Sequence, residues 1–595
     1  MRKLSWIIPI LILIVMTIII AVPRIGMPYV WTDTGYIINM PYQLSTHFNF
    51  ISAFFNANLW RDTGAMLARY MPLTEFQIAV QMALFPTNTM PSTIFMAFMY
   101  GLLAVAIYLL ATEITGKKWL GLAVVILLSF SLPAIQASWV LLENQASMEC
   151  LVMFGLYGFI RYRKTKNSKW LILVTCCSLI APLVRELGLV LPTVCLFDAI
   201  VEKMWNKKLL ILLSCLFLYA MFPSTIPNLF LGKFVFIPAI SRGVPRISVD
   251  LWGILPHLSF NMSAHLMLFI PPILLLLVVI ACAIFISQKF KTITDGNIIA
   301  TIIVLLVLYG SLFFIGTNIG VNLLSILLIM AIGISIYFYN KFLAVWFVIA
   351  WIPFFWLYNT IDTGLLAPAI PLTIIMVMWL SQLPKLWGGA IAKYKNSKLL
   401  NNTARILFIV MLIIGFSCQL SNVIIAYATF KSQVATNEDM ASWLVNNIPS
   451  NSIVVTDLIN GAEIRYYAND YYENVESMND PDFPPNAPDL PSYEQLINDN
   501  FNNHTMYVLI GVEMKTGLDF WLTNPPDATL QLVKQFKMSC SYPVIDPIKW
   551  IMPETLRPYG GSTDLFPQVA NSGSGFIQTS YARYNLYKIV SYNGN

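Results

Sequence analysis

Apolar blocks of about 17–25 residues recur from the N-terminus to residue 430, each long enough to cross roughly 30 Å of hydrocarbon as a helix. That recurrence fixes the class, because closed membrane barrels are written in short alternating segments instead. About thirteen blocks can be placed, near residues 4–22, 92–112, 119–136, 146–160, 170–184, 187–201, 209–226, 265–287, 297–316, 319–338, 342–358, 365–383 and 405–428. Charged residues make up only 11% of the chain, roughly half the share of a soluble domain. The expected fold is therefore a polytopic α-helical membrane protein with about 13 transmembrane helices. The first block exceeds a signal peptide's apolar core, and Ala21-Val22-Pro23-Arg24 is a poor cleavage site, so it reads as a retained anchor.

Charge divides the chain into two bodies. Residues 431–595 hold 9 Lys+Arg and 18 Asp+Glu, which leaves 27 and 12 of the totals for residues 1–430. A membrane part near +15 is joined to a tail near −9, and the net +6 is no sign of nucleic-acid binding. With the N-terminus in the cytoplasm, twenty Lys and Arg fall on the inner side and seven on the outer side, as positive-inside sorting requires. An odd number of spans then places the tail outside: in the cell envelope of a prokaryote or the ER lumen of a eukaryote. The large outer segments are about 23–91, about 226–264 and 431–595. Within the tail, Met440–Leu444 reads as helix, with strands at Ser452–Asp457, Thr505–Val512 and Leu586–Ser591. Asp480–Pro491 is a proline-rich loop, and the whole is a small extracytoplasmic α/β domain. Seven of the eight cysteines lie in or beside apolar blocks and show no metal-ligand spacing.

Residues 1–430 contain twelve carboxylates, and charge in or beside a membrane is costly enough that each deserves a functional test. Asp33, in Trp31-Thr32-Asp33-Thr34-Gly35-Tyr36, begins the first outer segment. It suits either a helix N-cap or a reactive acid. Arg69, in Arg69-Tyr70-Met71-Pro72-Leu73-Thr74, suits either lipid headgroups or a bound phosphate. Arg185, in Arg185-Glu186-Leu187-Gly188, suits either phosphate or an ion pair with Glu143. Lys233, Arg242 and Arg246 form a cationic second loop that can meet a lipid-linked phosphate or rest on anionic headgroups.

Those three stretches, in this order and topology, resemble the GT-C glycosyltransferases, the superfamily of protein O-mannosyltransferases and lipid A aminoarabinose transferases. The motif resemblance covers roughly the first 200 residues; beyond them the likeness is architectural. It implies an integral-membrane, mannosyltransferase-like enzyme that moves a sugar, with inversion, from a polyprenyl-phosphate-linked donor to an acceptor hydroxyl on the outer face. Asp33 would be the catalytic base. Arg69, Arg185, Lys233, Arg242 and Arg246 would bind the donor phosphate, with Tyr36, Tyr70 and Glu186 in support. Thr34 stands where the family often carries a second acid, so a two-carboxylate metal site is not expected. No residue is assigned as a metal ligand, and a divalent ion stays open as an addition to the lipid-linked donor. The expected partners are that donor, a protein, lipid or glycan acceptor, and membrane lipids. The tail lacks a Trp-Trp-Asp-type motif, against transfer of whole oligosaccharides to asparagine. The competing class is a transporter or flippase of lipid-linked glycans, which predicts internal repeats that the chain does not show.

Overall fold

The computed structural model describes residues 4–29, 72–85, 88–139, 141–142, 144–230, 319–356, 366–391, 397–449, 451–457, 466–468, 475–478, 499–511, 528–543, 570–571 and 576–592, with single residues or pairs near 275–280, 304–307 and 464. The expected spans 265–287 and 297–316 lie largely outside this set, as does most of the loop 226–264.

The membrane part is built from α1 (Leu4–Ala21), α2 (Pro72–Leu84), α3 (Thr89–Thr115), α4 (Lys118–Ser129), α5 (Leu132–Trp139), α6 (Gln145–Thr165), α7 (Ser168–Val184), α8 (Val190–Val201), α9 (Lys207–Phe230), α10 (Ile319–Tyr339), α11 (Lys341–Trp356), α12 (Leu366–Ile391) and α13 (Ser397–Asn447). Among the described residues, Ile7–Arg24 and Thr89–Thr115 are individually long and apolar enough to cross a bilayer, and shorter apolar helices accompany them. Local chemistry sets the ends. Asn88 caps α3 by accepting from the Met90 amide at 2.9 Å, and Asn167 caps α7 by accepting from the Lys169 amide at 3.0 Å. Gly116 ends α3 in the left-handed region, at φ 70°, where a side chain would be strained.

One expected span differs. The block 119–136 is broken at Phe130–Ser131 into α4 and α5. Ser131 turns its hydroxyl back onto the Leu128 carbonyl at 2.7 Å, and Pro133 falls in the first turn of the new helix, where its missing N–H costs nothing. The block pair 170–201 is two helices, separated by a short 3₁₀ turn at Glu186–Leu189.

The two ends of the bundle are chemically distinct. At one, the C-termini of α3, α6 and α8 are tied by ion pairs: Arg161 and Lys164 to Glu113 at 3.1 and 3.0 Å, and Arg163 to Asp198 at 2.8 Å. The other end carries the C-terminal domain. Helix α13 runs 51 residues without interruption from the bundle into that domain, so the change from apolar to acidic sequence near residue 430 is a change of surroundings along one rod.

The domain is a six-stranded mixed sheet of β1 (Ser452–Asp457), β2 (Val475–Met478), β3 (Thr505–Gly511), β4 (Ala528–Pro543), β5 (Ala570–Asn571) and β6 (Phe576–Tyr592). Its order is β2-β1-β3-β6-β4, with β5 beside β6. Strands β1, β2 and β3 are parallel, and β6 runs against β3 and β4. The expected strands are present as β1, β3 and β6; β2 and β4 add to them. Side chains alternate as the pleat demands. Val454, Tyr507 and Leu509 meet Met440 and Leu444 of α13 and Ile448 just after it, while Ile453, Val455 and Val508 fill a second core on the opposite face.

Since β1 starts just beyond the distal end of α13 and runs back along it, the carboxyl ends of the parallel strands point at the bundle. Ser432 of α13 donates to the Ser539 carbonyl late in β4, which places that part of the sheet over the membrane end of the rod. Open α/β sheets keep their crevices at the carboxyl ends of the strands, and here that edge faces the bundle.

Candidate functional site

Among the described residues four charged side chains are buried: Arg24, Glu149, Arg185 and Asp198. Asp198 is met by Arg163 at the ion-paired end. The other three gather at the end that carries the C-terminal domain. Burying charge in a bundle is expensive, which marks this end as the candidate site.

Arg185 is held by an unusual local turn. It ends α7 in an extended conformation, φ −158° and ψ 145°, and its carbonyl accepts from the Gly188 amide at 2.9 Å. Gly188 then packs directly against the helix it has just left: a Cβ there would lie 2.3 Å from the Ala181 carbonyl carbon. The glycine is thus required by close backbone approach, and it fixes where the buried Arg185 (4% exposed) departs from the chain. The last carbonyls of a helix lack partners within it. That of Val184 accepts from the Thr74 hydroxyl at 2.7 Å, and Thr74 is itself buried. Thr74, the last residue of the Arg69–Thr74 stretch, therefore meets the residue just before Arg185, more than a hundred positions away.

The beginning of the first outer segment is anchored to the same region. Tyr29 is fully buried, and its hydroxyl lies 2.9 Å from the Ser92 hydroxyl of α3; Ser92 in turn reaches the Gln81 side chain of α2 at 3.3 Å. The chain before and after residues 30–71 is thus fastened to one point of α3.

Arg24 lies one turn earlier, with no exposed surface. Its Nε donates to the Trp139 carbonyl at 3.1 Å and its Nη1 to the Met27 carbonyl at 2.6 Å. The guanidinium lies over the Phe430 ring of α13, 4.9 Å from the centroid. Trp139 returns its indole N–H to the Ile20 carbonyl at 2.8 Å and meets Phe430 edge-on at 5.6 Å. This knot joins α1, α5 and α13. Replacing Arg24 by Ala takes the donor from the buried Trp139 carbonyl and from the half-buried Met27 carbonyl, and should cost about 2 kcal/mol. Lysine keeps the charge but lacks the planar fork, so it should recover only part of that. Thermal unfolding of the purified protein checks both; a Lys variant that melts with the wild type contradicts the fork's role.

Glu149, also without exposed surface, sits in the second turn of α6. The Gln145 side-chain amide donates to it at 3.0 Å.

The sequence-expected residues distribute as follows. Arg185 is buried at the domain-side end. Glu186 begins the 3₁₀ turn, and only its backbone is described. Asp33, Tyr36, Arg69, Tyr70, Lys233, Arg242 and Arg246 lie outside the described residues, as does Glu143, the rival partner of Arg185. Arg24, Tyr29 and Glu149 were given no role by sequence reasoning. Arg24 carried a signal there, as a cation on the side that charge sorting leaves poor in cations. Glu149 was one of only twelve carboxylates in the membrane part. No group of three or more His, Cys, Asp and Glu side chains suited to a metal occurs among the described residues.

No protein-family profile matches the chain, and no curated protein does. Among solved structures, it is similar to the crystal structure of ArnT from Cupriavidus metallidurans bound to undecaprenyl phosphate, at 13% identity and a TM-score of 0.40. That match covers 89% of this chain and 96% of the other. The apo state of the same protein is similar at 12% identity and a TM-score of 0.38, covering 90% and 97%.

Proposed function

We propose that this chain is a GT-C-like integral-membrane glycosyltransferase that moves one sugar from a polyprenyl-phosphate donor to an acceptor hydroxyl at the domain-side, outer face of the membrane. The contact between Thr74 and the Val184 carbonyl supports the reading, because it sets the end of one family-like motif against the residue that precedes the buried Arg185 of another. Asp33, of the third motif, comes four residues after Tyr29, which is fastened to the same end of the bundle.

In this reading the acceptor oxygen attacks the anomeric carbon as the bond from that carbon to the donor phosphate oxygen breaks. Asp33 takes the hydroxyl proton as the nucleophile forms. A single displacement inverts the anomeric centre. The departing polyprenyl phosphate gains charge, which Arg185 and Arg69 stabilise by paired N–H donors, with Lys233, Arg242 and Arg246 contributing from the second loop. Tyr36, Tyr70 and Glu186 shape the surroundings of these groups. The lipid tail lies along apolar helix faces, so no soluble nucleotide-sugar fold is needed.

Two tests follow. Purified protein should retain a tritiated polyprenyl phosphate, displaced by the corresponding phospho-sugar and not by the free polyprenol; equal retention of the polyprenol would contradict phosphate recognition. Thr74→Val removes the donor to the Val184 carbonyl and should destabilise the protein by about 1 kcal/mol. It should also raise the apparent donor dissociation constant several-fold, with Thr74→Ser near wild type. Unchanged donor affinity in the Val variant would separate the two motifs functionally.

A further inference from the structure

Tyr466 and Tyr467 belong to the C-terminal domain, yet both reach into the membrane part. We infer that they are positioning residues through which the C-terminal domain fixes the chain leading to Asp33, an inference that rests on the proposed role of Asp33 as base.

Residues 27–29 follow the 3₁₀ turn after α1 and belong to no helix or strand, so the backbone polar groups of Tyr29 have no ladder to join. Both are met from the other domain. The Tyr29 amide donates to the Tyr466 hydroxyl at 3.3 Å, and the Tyr29 carbonyl accepts from the Tyr467 hydroxyl at 3.0 Å. Two phenols thus do for one residue what a neighbouring strand would do. The rings reinforce the clamp: Tyr29 meets Tyr466 edge-on at 6.2 Å, and Tyr466 meets Tyr467 edge-on at 5.1 Å. On its other side the Tyr29 hydroxyl is held at Ser92. Residue 29 is therefore gripped at its amide, its carbonyl and its side chain, by two domains at once.

The short segment carrying the pair spans both cores. Ile464 is buried in the sheet domain with Val454 and Leu509, while Tyr466 packs against the core of the bundle. It follows β1 at the carboxyl edge that faces the membrane, so the sheet supplies a rigid base for the two hydroxyls.

Asp33 is the fourth residue after Tyr29, and the covalent chain keeps the two within about 14 Å. A base misplaced by about 1 Å can lose on the order of a hundredfold in rate. Fixing Tyr29 removes the freedom of the chain at the near end of that tether. The C-terminal domain then forms part of the catalytic frame, besides any part in receiving the acceptor.

The test uses the full-length protein in lipid nanodiscs, with Tyr466→Phe and Tyr467→Phe combined so that both rings and their packing stay. Hydrogen exchange should accelerate about tenfold or more in peptides covering residues 25–33, and stay unchanged in α3. Transfer from a polyprenyl-phosphate sugar should lose about tenfold in kcat, with donor KM within about twofold. Unchanged exchange at residues 25–33 overturns the clamp. Faster exchange with unchanged kcat overturns the positioning role, as does a fall in kcat matched by a general loss of melting temperature. If the wild type transfers no sugar, the base assignment and the positioning role fall together, while accelerated exchange would still record the clamp as a structural contact.

Discussion

Asp33→Asn should lower the turnover of sugar transfer by about 10²–10⁴-fold, the range associated with loss of a general base. Asparagine has nearly the same shape and can still accept a hydrogen bond, but it cannot take the proton that the acceptor hydroxyl must lose. The effect should therefore fall on kcat, while donor retention stays close to wild type. The same substitution separates the two local roles that Asp33 suits. Were it only a helix cap, asparagine would replace it almost without loss, since Asn and Asp cap comparably. A variant with normal expression, normal melting and undiminished turnover would leave Asp33 as a cap.

Arg185→Gln should lower kcat/KM by about 10²–10³-fold, as removal of a donor to a developing negative charge commonly does. The argument begins with burial. Arg185 is 4% exposed at the end of α7, on a turn that Gly188 permits only by lying against the Ala181 carbonyl. An arginine held this way stays charged where water is scarce, and a donor phosphate is the group that the family-like motif would bring to it. Arg185→Lys is the informative companion. Lysine supplies a point charge without the planar fork, so it should recover donor binding in part while remaining well below wild type in turnover. If Gln and Lys behave alike and only the melting temperature falls, Arg185 serves packing and not the phosphate.

Much of the architecture could be read from local patterns. Apolar block length predicted α1, α3, α6, α7, α8 and α9 closely, since the bilayer dictates span length wherever it occurs. The helix at Met440–Leu444 and the strands β1, β3 and β6 were visible because their periodicity is local. The break at Phe130–Ser131 was not, because it depends on one serine hydroxyl turning back three residues inside an apolar run. Nor was β4 expected. Its polar sequence, Ala528–Pro543, becomes a strand through its long antiparallel pairing with β6.

The site divides in the same way. The Arg185-Glu186-Leu187-Gly188 stretch could be singled out because its chemistry is written in consecutive residues. The Arg24 knot could not, since its partners are Trp139 and Phe430, over a hundred and about four hundred positions away. Tyr29 and Tyr467 are 438 positions apart, and a Tyr-Tyr pair in an acidic tail gives no hint of reaching the chain just beyond α1. Glu149 was legible only as a scarce carboxylate; its burial beside Gln145 is a property of the packed bundle.

The most direct measurement follows both halves of a doubly labelled donor. Proteoliposomes holding the purified chain are given a polyprenyl-phosphate sugar labelled with tritium in the lipid and carbon-14 in the sugar, with membranes of the source cells as acceptor. A glycosyltransferase separates the labels: carbon-14 passes to acceptor, tritium remains as polyprenyl phosphate, and Asp33→Asn abolishes the separation. Labels that stay joined and merely change leaflet, with or without Asp33, would show a flippase and contradict the proposed reaction.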